Sequence, residues 1–291
     1  MKKLPALLIF GLTFITGLLA CNNPLKTPSS GPIKILNNGV NIAYTDSGKG
    51  DTSLLFVHGW CINKSYFSDQ VAVFSKKYRV VTIDLPGFGQ SGKNRTSWTV
   101  SDFGKDVASV ITQLNLKNVI LIGHSMSGAI IVQAKLDAPD KVIGLVGIDN
   151  FKEYSTAPET AQSKAEFATV ITALKKNFKK VVTEYFNQYL FYTTTDTAIR
   201  KRILNDVTHT DSTVAIACME DNSFNTSAQL KEAKMKIHLI NSDNTPNDTT
   251  GFVKNNIPYQ LLIVHTTGHF PMIEEPAKFN SLLQKAIDDV K

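Results

Sequence analysis

Residues 118–134 read NVILIGHSMSGAIIVQA and place a polar segment, GHSMSG, between two apolar runs. Residues 119–122 are β-branched or leucine, which is typical of a buried strand, and residues 129–134 predict the first turns of a buried helix. A strand that runs directly into a helix needs a strained residue at the junction. Small residues leave room for such a turn, and three stand here: Gly123, Ser127 and Gly128. Because packing does not require a serine at the apex, the pattern predicts a functional Ser125.

Short apolar runs recur along the chain and predict further strands. The predicted strands are Ile33–Leu36, Val40–Tyr44, Leu54–Val57, Val80–Ile83, Val119–Ile122, Val142–Ile148, Ile237–Ile240 and Leu261–Val264. The first two flank Asn-Asn-Gly, a hairpin pattern, and helical patterns such as residues 100–114 separate several of the later strands. A hairpin followed by alternating strands and helices predicts an α/β fold with a mostly parallel sheet and helices on both faces.

Residues 151–235 interrupt this alternation, because no convincing strand pattern occurs there. Apolar residues instead recur at helical spacing, at Phe167, Val170, Ile171, Leu174, Phe178, Val181, Val182, Tyr185, Phe186 and Tyr189. The segment predicts a helical cap inserted after the sixth strand, over the strand ends where open α/β sheets bind ligands. The alternative is an insertion that only packs. The core is then predicted to comprise residues 33–150 and 236–291.

Three further motifs follow predicted strands: HGW at 58–60, DLPGFGQSG at 84–92 and GHFPMIEEP at 268–276. Together with GHSMSG, and in this order, they resemble the α/β-hydrolase superfamily. The resemblance implies that Ser125 is a nucleophile on a strand-to-helix elbow and that His269 is its base. The backbone N–H groups of Trp60 and Met126 would then form the oxyanion hole. Ser127 departs from the pattern, since many members have glycine there.

The acid that would orient His269 is less clearly marked. The family often places it after the seventh strand as Gly-x-x-Asp, and residues 241–247 read NSDNTPN. A strict match puts Asn244 in the acid's place, whereas a loop one residue shorter puts Asp243 there. Some relatives carry the acid after the sixth strand, where Asp149 stands in LVGIDNF, although Asp149 could also be a cap or a loop anchor. Asp243 is the predicted acid, with Asp149 and Asp248 as alternatives.

The remaining histidines are predicted to have structural roles. His58 and His124 flank the proposed site and are expected to orient loops around it. His209, His238 and His265 are expected to be packing or surface residues.

These residues predict a serine-dependent hydrolase that cleaves a carboxylic ester or related small acyl substrate through an acyl-enzyme, without a cofactor. A serine nucleophile argues against the epoxide hydrolases and haloalkane dehalogenases of the fold, which use aspartate. Carbon–carbon bond hydrolases, aminopeptidases and cofactor-free haloperoxidases use serine and stay open. A ligand-binding or receptor-like protein with little turnover is the alternative from another class.

Composition excludes some other classes. The formal net charge is +6, and the lysines are scattered apart from a cluster at Lys175, Lys176, Lys179 and Lys180. No basic tract is interleaved with aromatic residues, so the sequence does not predict nucleic-acid binding. Neither Cys-x-x-Cys nor His-Glu-x-x-His occurs, so no metal site is predicted. The spacing of Cys61 and Cys218 leaves open whether these two residues pair.

The N-terminus predicts export. Lys2 and Lys3 precede an apolar run that ends in Leu18-Leu19-Ala20-Cys21, and this ending resembles the lipobox of bacterial lipoproteins. The resemblance implies a signal peptide of residues 1–20, removed before an acylated Cys21. Residues 21–32, rich in proline and serine, would form a flexible tether. The predicted location is the bacterial cell envelope, with the protein anchored to the membrane by lipid.

Overall fold

A computed structural model describes residues 33–152, 154, 160–221 and 223–290. Within this part of the chain an eight-stranded sheet has the order β1-β2-β4-β3-β5-β6-β7-β8. The strands are β1 (Ile33–Asn37), β2 (Val40–Ser47), β3 (Ser53–Val57), β4 (Arg79–Ile83), β5 (Val119–His124), β6 (Val142–Ile148), β7 (Ile237–Ser242) and β8 (Tyr259–Val264). Each strand contains the apolar run that predicted it.

The sheet is mostly parallel, as predicted. β1 and β2 form an antiparallel hairpin, β2 pairs antiparallel with β4, and every later pairing is parallel. All residues of the central strands β3 and β5 are buried, because helices cover both faces of a parallel sheet. The carboxyl ends of β3 to β8 therefore lie along one edge of the sheet, where loops from different strands can meet.

Helices connect and cover the strands. They are α1 (Ser68–Phe74), α2 (Val100–Gln113), α3 (Ser127–Asp137), α4 (Ala161–Tyr185), α5 (Thr197–His209), α6 (Ser212–Glu220), α7 (Thr226–Ala233), α8 (Thr250–Lys254), α9 (Pro271–Glu274) and α10 (Pro276–Val290). A 3₁₀ turn (Lys64–Phe67) precedes α1, and a π-helical segment (Phe186–Leu190) follows α4. The predicted helix over residues 100–114 is α2, which begins with a capping box formed by Thr99 and Asp102.

Helices α4 to α7 occupy the interval between β6 and β7 that was predicted to form a cap. Their apolar side chains reach the loop after β3, since the Trp60 ring lies 5.9 Å from Phe178 and 6.4 Å from Phe186, measured between centroids. The last helix, α7, instead packs against α3 of the core, where Gln229 Nε2 donates to Gln133 Oε1 at 2.9 Å. The four clustered lysines of α4 are exposed.

The predicted signal peptide, Cys21 and the tether of residues 21–32 lie outside the described residues. Within the residues that the structure describes, no helix is both long and apolar enough to span a bilayer.

Candidate active site

Ser125 stands at the turn between β5 and α3 in a left-handed conformation, with φ of +53°. Close contacts on either side of Ser125 leave no room for a Cβ at Gly123 or Gly128. A Cβ on Gly123 would lie 2.5 Å from the Ser127 carbonyl oxygen, and one on Gly128 would lie 2.6 Å from Asn150 Nδ2. A left-handed conformation at a non-glycine residue costs energy and persists only where the surrounding structure holds it. Such strained residues cluster at functional sites. This conformation is the elbow predicted from residues 118–134.

The imidazole of His269 lies against this serine. Nε2 of His269 is 2.8 Å from Ser125 Oγ and can accept the hydroxyl hydrogen. His269 belongs to the loop between β8 and α9, and its backbone N–H donates to the Leu190 carbonyl at 2.8 Å. The structure therefore brings together the two residues that were predicted as nucleophile and base.

The carboxylate on the other side of the imidazole is Asp149, from the loop after β6. Nδ1–H of His269 donates to Asp149 Oδ2 at 2.6 Å. Asp149 Oδ1 accepts the Ser242 backbone N–H at 2.7 Å and pairs with Lys152 Nζ at 3.2 Å. Burial alone would raise the pKa of Asp149, but the His269 hydrogen bond and the charges of His269 and Lys152 outweigh it and hold that pKa well below its usual range.

The prediction that Asp243 contacts His269 is wrong. Asp243 Oδ2 lies 2.9 Å from His265 Nδ1, and Oδ1 accepts the Thr266 backbone N–H at 2.8 Å, so this carboxylate closes the loop after β8. The difference lies in which loop reaches the imidazole. The loop after β6, the direct neighbour of β5, brings Asp149 to His269, whereas Asp243, after β7, contacts the loop after β8 instead. The other alternative, Asp248, makes a local contact instead, since its Oδ1 accepts the Thr250 backbone N–H at 2.9 Å.

The loop after β3 runs directly beside Ser125. A Cβ on Gly59 would lie 3.0 Å from the Ser125 Cβ, so only glycine permits this approach. The indole N–H of Trp60 donates to the Ala215 carbonyl of α6 at 2.8 Å, which ties this loop to the cap. Neither the Trp60 nor the Met126 backbone N–H donates a hydrogen bond to any of the described residues.

Hydrogen bonds made by two further motif residues, Ser127 and Asp84, hold this loop and the segment that follows it. The Ser127 hydroxyl, where many relatives have glycine, donates to the His58 carbonyl at 2.5 Å. Asp84, which begins DLPGFGQSG, is buried and accepts both the Lys64 backbone N–H at 2.8 Å and Lys64 Nζ at 2.6 Å. These contacts fix the chain that carries Trp60.

His58 and His124 are buried, neutral and structural. Nδ1–H of His58 donates to the Gly59 carbonyl at 2.7 Å while Nε2 accepts the Leu85 N–H at 2.9 Å, so one tautomer is fixed, and burial lowers the pKa of His58. Nε2–H of His124 donates to the His269 carbonyl at 2.8 Å. Burial, and then the charge of His269, lower the pKa of His124 to about 3. Both histidines orient loops, as predicted.

Two cavities meet at Ser125 and His269. One, of about 500 Å³, is mostly apolar and is lined by residues that include Trp60, Met126, Leu174, Val182, Phe186 and Cys218. We call it the apolar cavity. The other, of about 1200 Å³, is lined mainly by polar groups, among them Asp149, Lys152, Tyr154, Asn225, Ser227 and Thr245. We call it the polar cleft. Ligand pockets in proteins commonly measure roughly 300–1,000 Å³, so both are large enough for a small substrate.

Among the described side chains no group of three or more histidine, cysteine, aspartate or glutamate residues is arranged to hold a metal ion. Cys61 and Cys218 are both free thiols, and burial raises the pKa of Cys218 to about 12.

Comparison with known proteins identifies the family. A family model described as the alpha/beta hydrolase fold matches residues 52–216, which is more than half of the chain. The chain belongs to the α/β-hydrolase family. The matched region includes Trp60, Ser125 and Asp149 and ends before His269.

The α/β-hydrolase similarity extends to curated bacterial proteins. AB hydrolase superfamily protein YisY of Bacillus subtilis (strain 168) is 27% identical over 254 residues, which are 84% of this chain and 94% of that protein. Uncharacterized hydrolase YugF of the same organism is 35% identical over 105 residues, which are 35% of this chain and 38% of YugF. The chain thus matches well under two thirds of the length of YugF.

A solved structure shows the same fold. A thermophilic esterase from Thermogutta terrifontis aligns with a TM-score of 0.76 and 18% identity, covering 90% of this chain and 99% of that one.

Lys152 is the site residue that sequence patterns missed. Its side chain is only 11% exposed, and its Nζ donates to the Ser242 carbonyl at 3.1 Å and the Ser242 hydroxyl at 3.0 Å in addition to pairing with Asp149. The available signal is local, since a lysine three residues after a carboxylate at a strand end can fold back onto it. Its partner Ser242 carries no such signal, because the contact depends on β6 and β7 being neighbours.

Proposed function

We propose that this α/β hydrolase is a serine-dependent esterase that cleaves a carboxylic ester through an acyl-enzyme. The observation that carries the proposal is the continuous chain of hydrogen bonds from Ser125 through His269 to Asp149. Ser125 and His269 border two cavities that are large enough for the two halves of an ester. A serine hydroxyl is a weak nucleophile near neutral pH, and an oriented imidazole is what activates it.

Each residue then has a defined step. Ser125 Oγ attacks the ester carbonyl carbon while His269 Nε2 takes the hydroxyl proton. Asp149 accepts Nδ1–H, which fixes the imidazole tautomer and stabilises the imidazolium. The backbone N–H groups of Trp60 and Met126 supply the donors for the oxyanion. His269 gives its proton to the leaving alcohol, and a water activated by the same imidazole then releases the acid and restores Ser125.

Two of the alternatives, a binding protein and an aminopeptidase, are weaker on specific observations. An imperfect acid motif after β7 favours a binding protein without turnover, but a carboxylate from the loop after β6, Asp149, hydrogen-bonds His269. An aminopeptidase needs a carboxylate to hold the substrate's ammonium group. Among the described residues lining either cavity, the one carboxylate is Asp149, which His269 and Lys152 already occupy.

The proposal is tested with Ser125→Ala and His269→Ala on short p-nitrophenyl esters. Each variant should lose turnover by about 10⁴ or more while remaining folded, since losses of this size follow removal of a nucleophile or base. Ser281→Ala and His209→Ala, at exposed positions distant in sequence, serve as matched controls and should keep full activity. A Ser125 or His269 variant that kept more than a tenth of wild-type kcat would contradict the proposal.

A further inference from the structure

We propose that the substrate is an ester whose acyl part is an extended apolar chain seated in the apolar cavity and whose alcohol leaves through the polar cleft. This inference rests on the proposed esterase function and specifies which half of the ester each cavity takes.

The cap contributes mostly hydrocarbon and sulfur-containing side chains to the apolar cavity. Helix α4 contributes Leu174 and Val182, the π-helical segment contributes Phe186, and α6 contributes Cys218 and Met219. Leu174, Val182 and Phe186 are themselves nearly fully buried. When a hydrocarbon chain enters this cavity, apolar surface of both the chain and the cavity wall is removed from water, which favours binding.

The orientation of the ester follows from the oxyanion donors. Trp60 and Met126, whose backbone N–H groups are the candidate donors, both line the apolar cavity. Asp149 and Lys152 line the polar cleft and lie on the far side of His269. An ester with its carbonyl oxygen at Trp60 and Met126, and its alcohol oxygen beside the His269 that must protonate it, can place its acyl chain in the apolar cavity and its alcohol in the polar cleft.

The second half of the reaction requires the same partition. Once the alcohol has left, a water molecule must reach His269 to attack the acyl-enzyme. A polar cleft can supply that water, whereas an apolar cavity filled by the acyl chain cannot. The chemistry thus needs one side of Ser125 that holds the acyl chain and another that admits water, and the mostly apolar cavity and the more polar cleft suit these two roles.

The test uses p-nitrophenyl acetate, butanoate, hexanoate and octanoate. For the wild type, kcat/KM should rise from acetyl to octanoyl by about tenfold or more, because the six additional methylenes enter the apolar cavity and each is removed from water. Cys218→Phe should narrow the cavity and lower the ratio of kcat/KM for octanoate to kcat/KM for acetate to about one. Cys218→Ser, nearly equal in volume to cysteine, is the matched control and should keep the preference.

Two further variants keep the test decisive. Leu174→Phe narrows the cavity from α4 and should act like Cys218→Phe, in case the latter does not fold. Thr245→Phe narrows the polar cleft and should leave the chain-length preference unchanged. A wild type that hydrolyses acetyl esters but gains nothing from longer chains, or a preference that moves with Thr245→Phe, would overturn the inference and leave the esterase proposal standing. No hydrolysis of any ester would instead defeat the esterase proposal.

Discussion

The carboxylate beside His269 is held by donors from three directions. Asp149 accepts hydrogen bonds from His269 and from the Ser242 backbone, and it pairs with the nearly buried Lys152. These partners keep it ionised despite its burial, which is the state that orients an imidazole. Asp243 has no such setting, since it pairs with the exposed His265 at the surface.

The two aspartates are therefore expected to differ sharply in activity. Asp149→Asn should lower kcat by roughly 10²–10⁴, because an amide in that position favours the wrong imidazole tautomer. Asp243→Asn is the matched control and should change kcat by less than about threefold. Steady-state kinetics on one ester, with circular dichroism to confirm folding, decides between them. If Asp243→Asn lowered kcat strongly and Asp149→Asn did not, the hydrogen bond between Asp149 and His269 would not be the one that supports catalysis.

At the scale of elements, the sequence predicts the strands better than it predicts the contacts between loops that follow different strands. The strands were predictable because a strand buried on both faces is a local run of Val, Ile and Leu. The contact between Asp149 and His269 was not, because it depends on β6 lying between β5 and β7 and on a loop after β8 reaching back to both. Ser125 and His269 were predictable, since their motifs are contiguous and their chain order is restricted.

β5 is joined to the loop after β8 through its last residue, His124. This histidine donates to the His269 carbonyl and stays neutral in the fold, with a pKa of about 3. In the unfolded chain its pKa is about 6.5. The unfolded state therefore binds more protons between these two values, and stability is lost as pH falls from about 6.5 toward 3.

His124→Gln should flatten this dependence, since glutamine can still donate to the His269 carbonyl but does not titrate. As pH falls below about 6.5, His124 should lower the unfolding free energy of the wild type by up to about 1.4 kcal/mol per pH unit. The variant should lack this contribution to the slope. Urea unfolding at pH 7, 6 and 5 measures it, with the exposed His209→Gln as control. Equal slopes for His124→Gln and wild type would show that His124 is not the group responsible.

At the scale of the whole molecule, the described domain begins only twelve residues after Cys21. We propose that the N-terminus anchors the domain to the bacterial cell envelope through acylated Cys21. The support is the Leu-Leu-Ala-Cys ending and the proline- and serine-rich segment after it. Several acyl chains would give stable anchoring where one would not.

Mass spectrometry of the mature protein from membranes tests this anchor. The N-terminal residue should be Cys21 carrying diacylglycerol on sulfur and an acyl group on the amine. Cys21→Ala should move the protein out of the membrane fraction without changing esterase activity. An unmodified N-terminus at another residue would contradict the proposal.

The central claim is that Ser125 is an activated nucleophile, and covalent labelling with a fluorophosphonate tests it most directly. Such a probe reacts with a serine whose hydroxyl is activated by a neighbouring base. After digestion, peptide mass spectrometry should find the label on Ser125, and Ser125→Ala should take up none. An unlabelled wild-type protein, or a label on another serine that persists in Ser125→Ala, would contradict the claim.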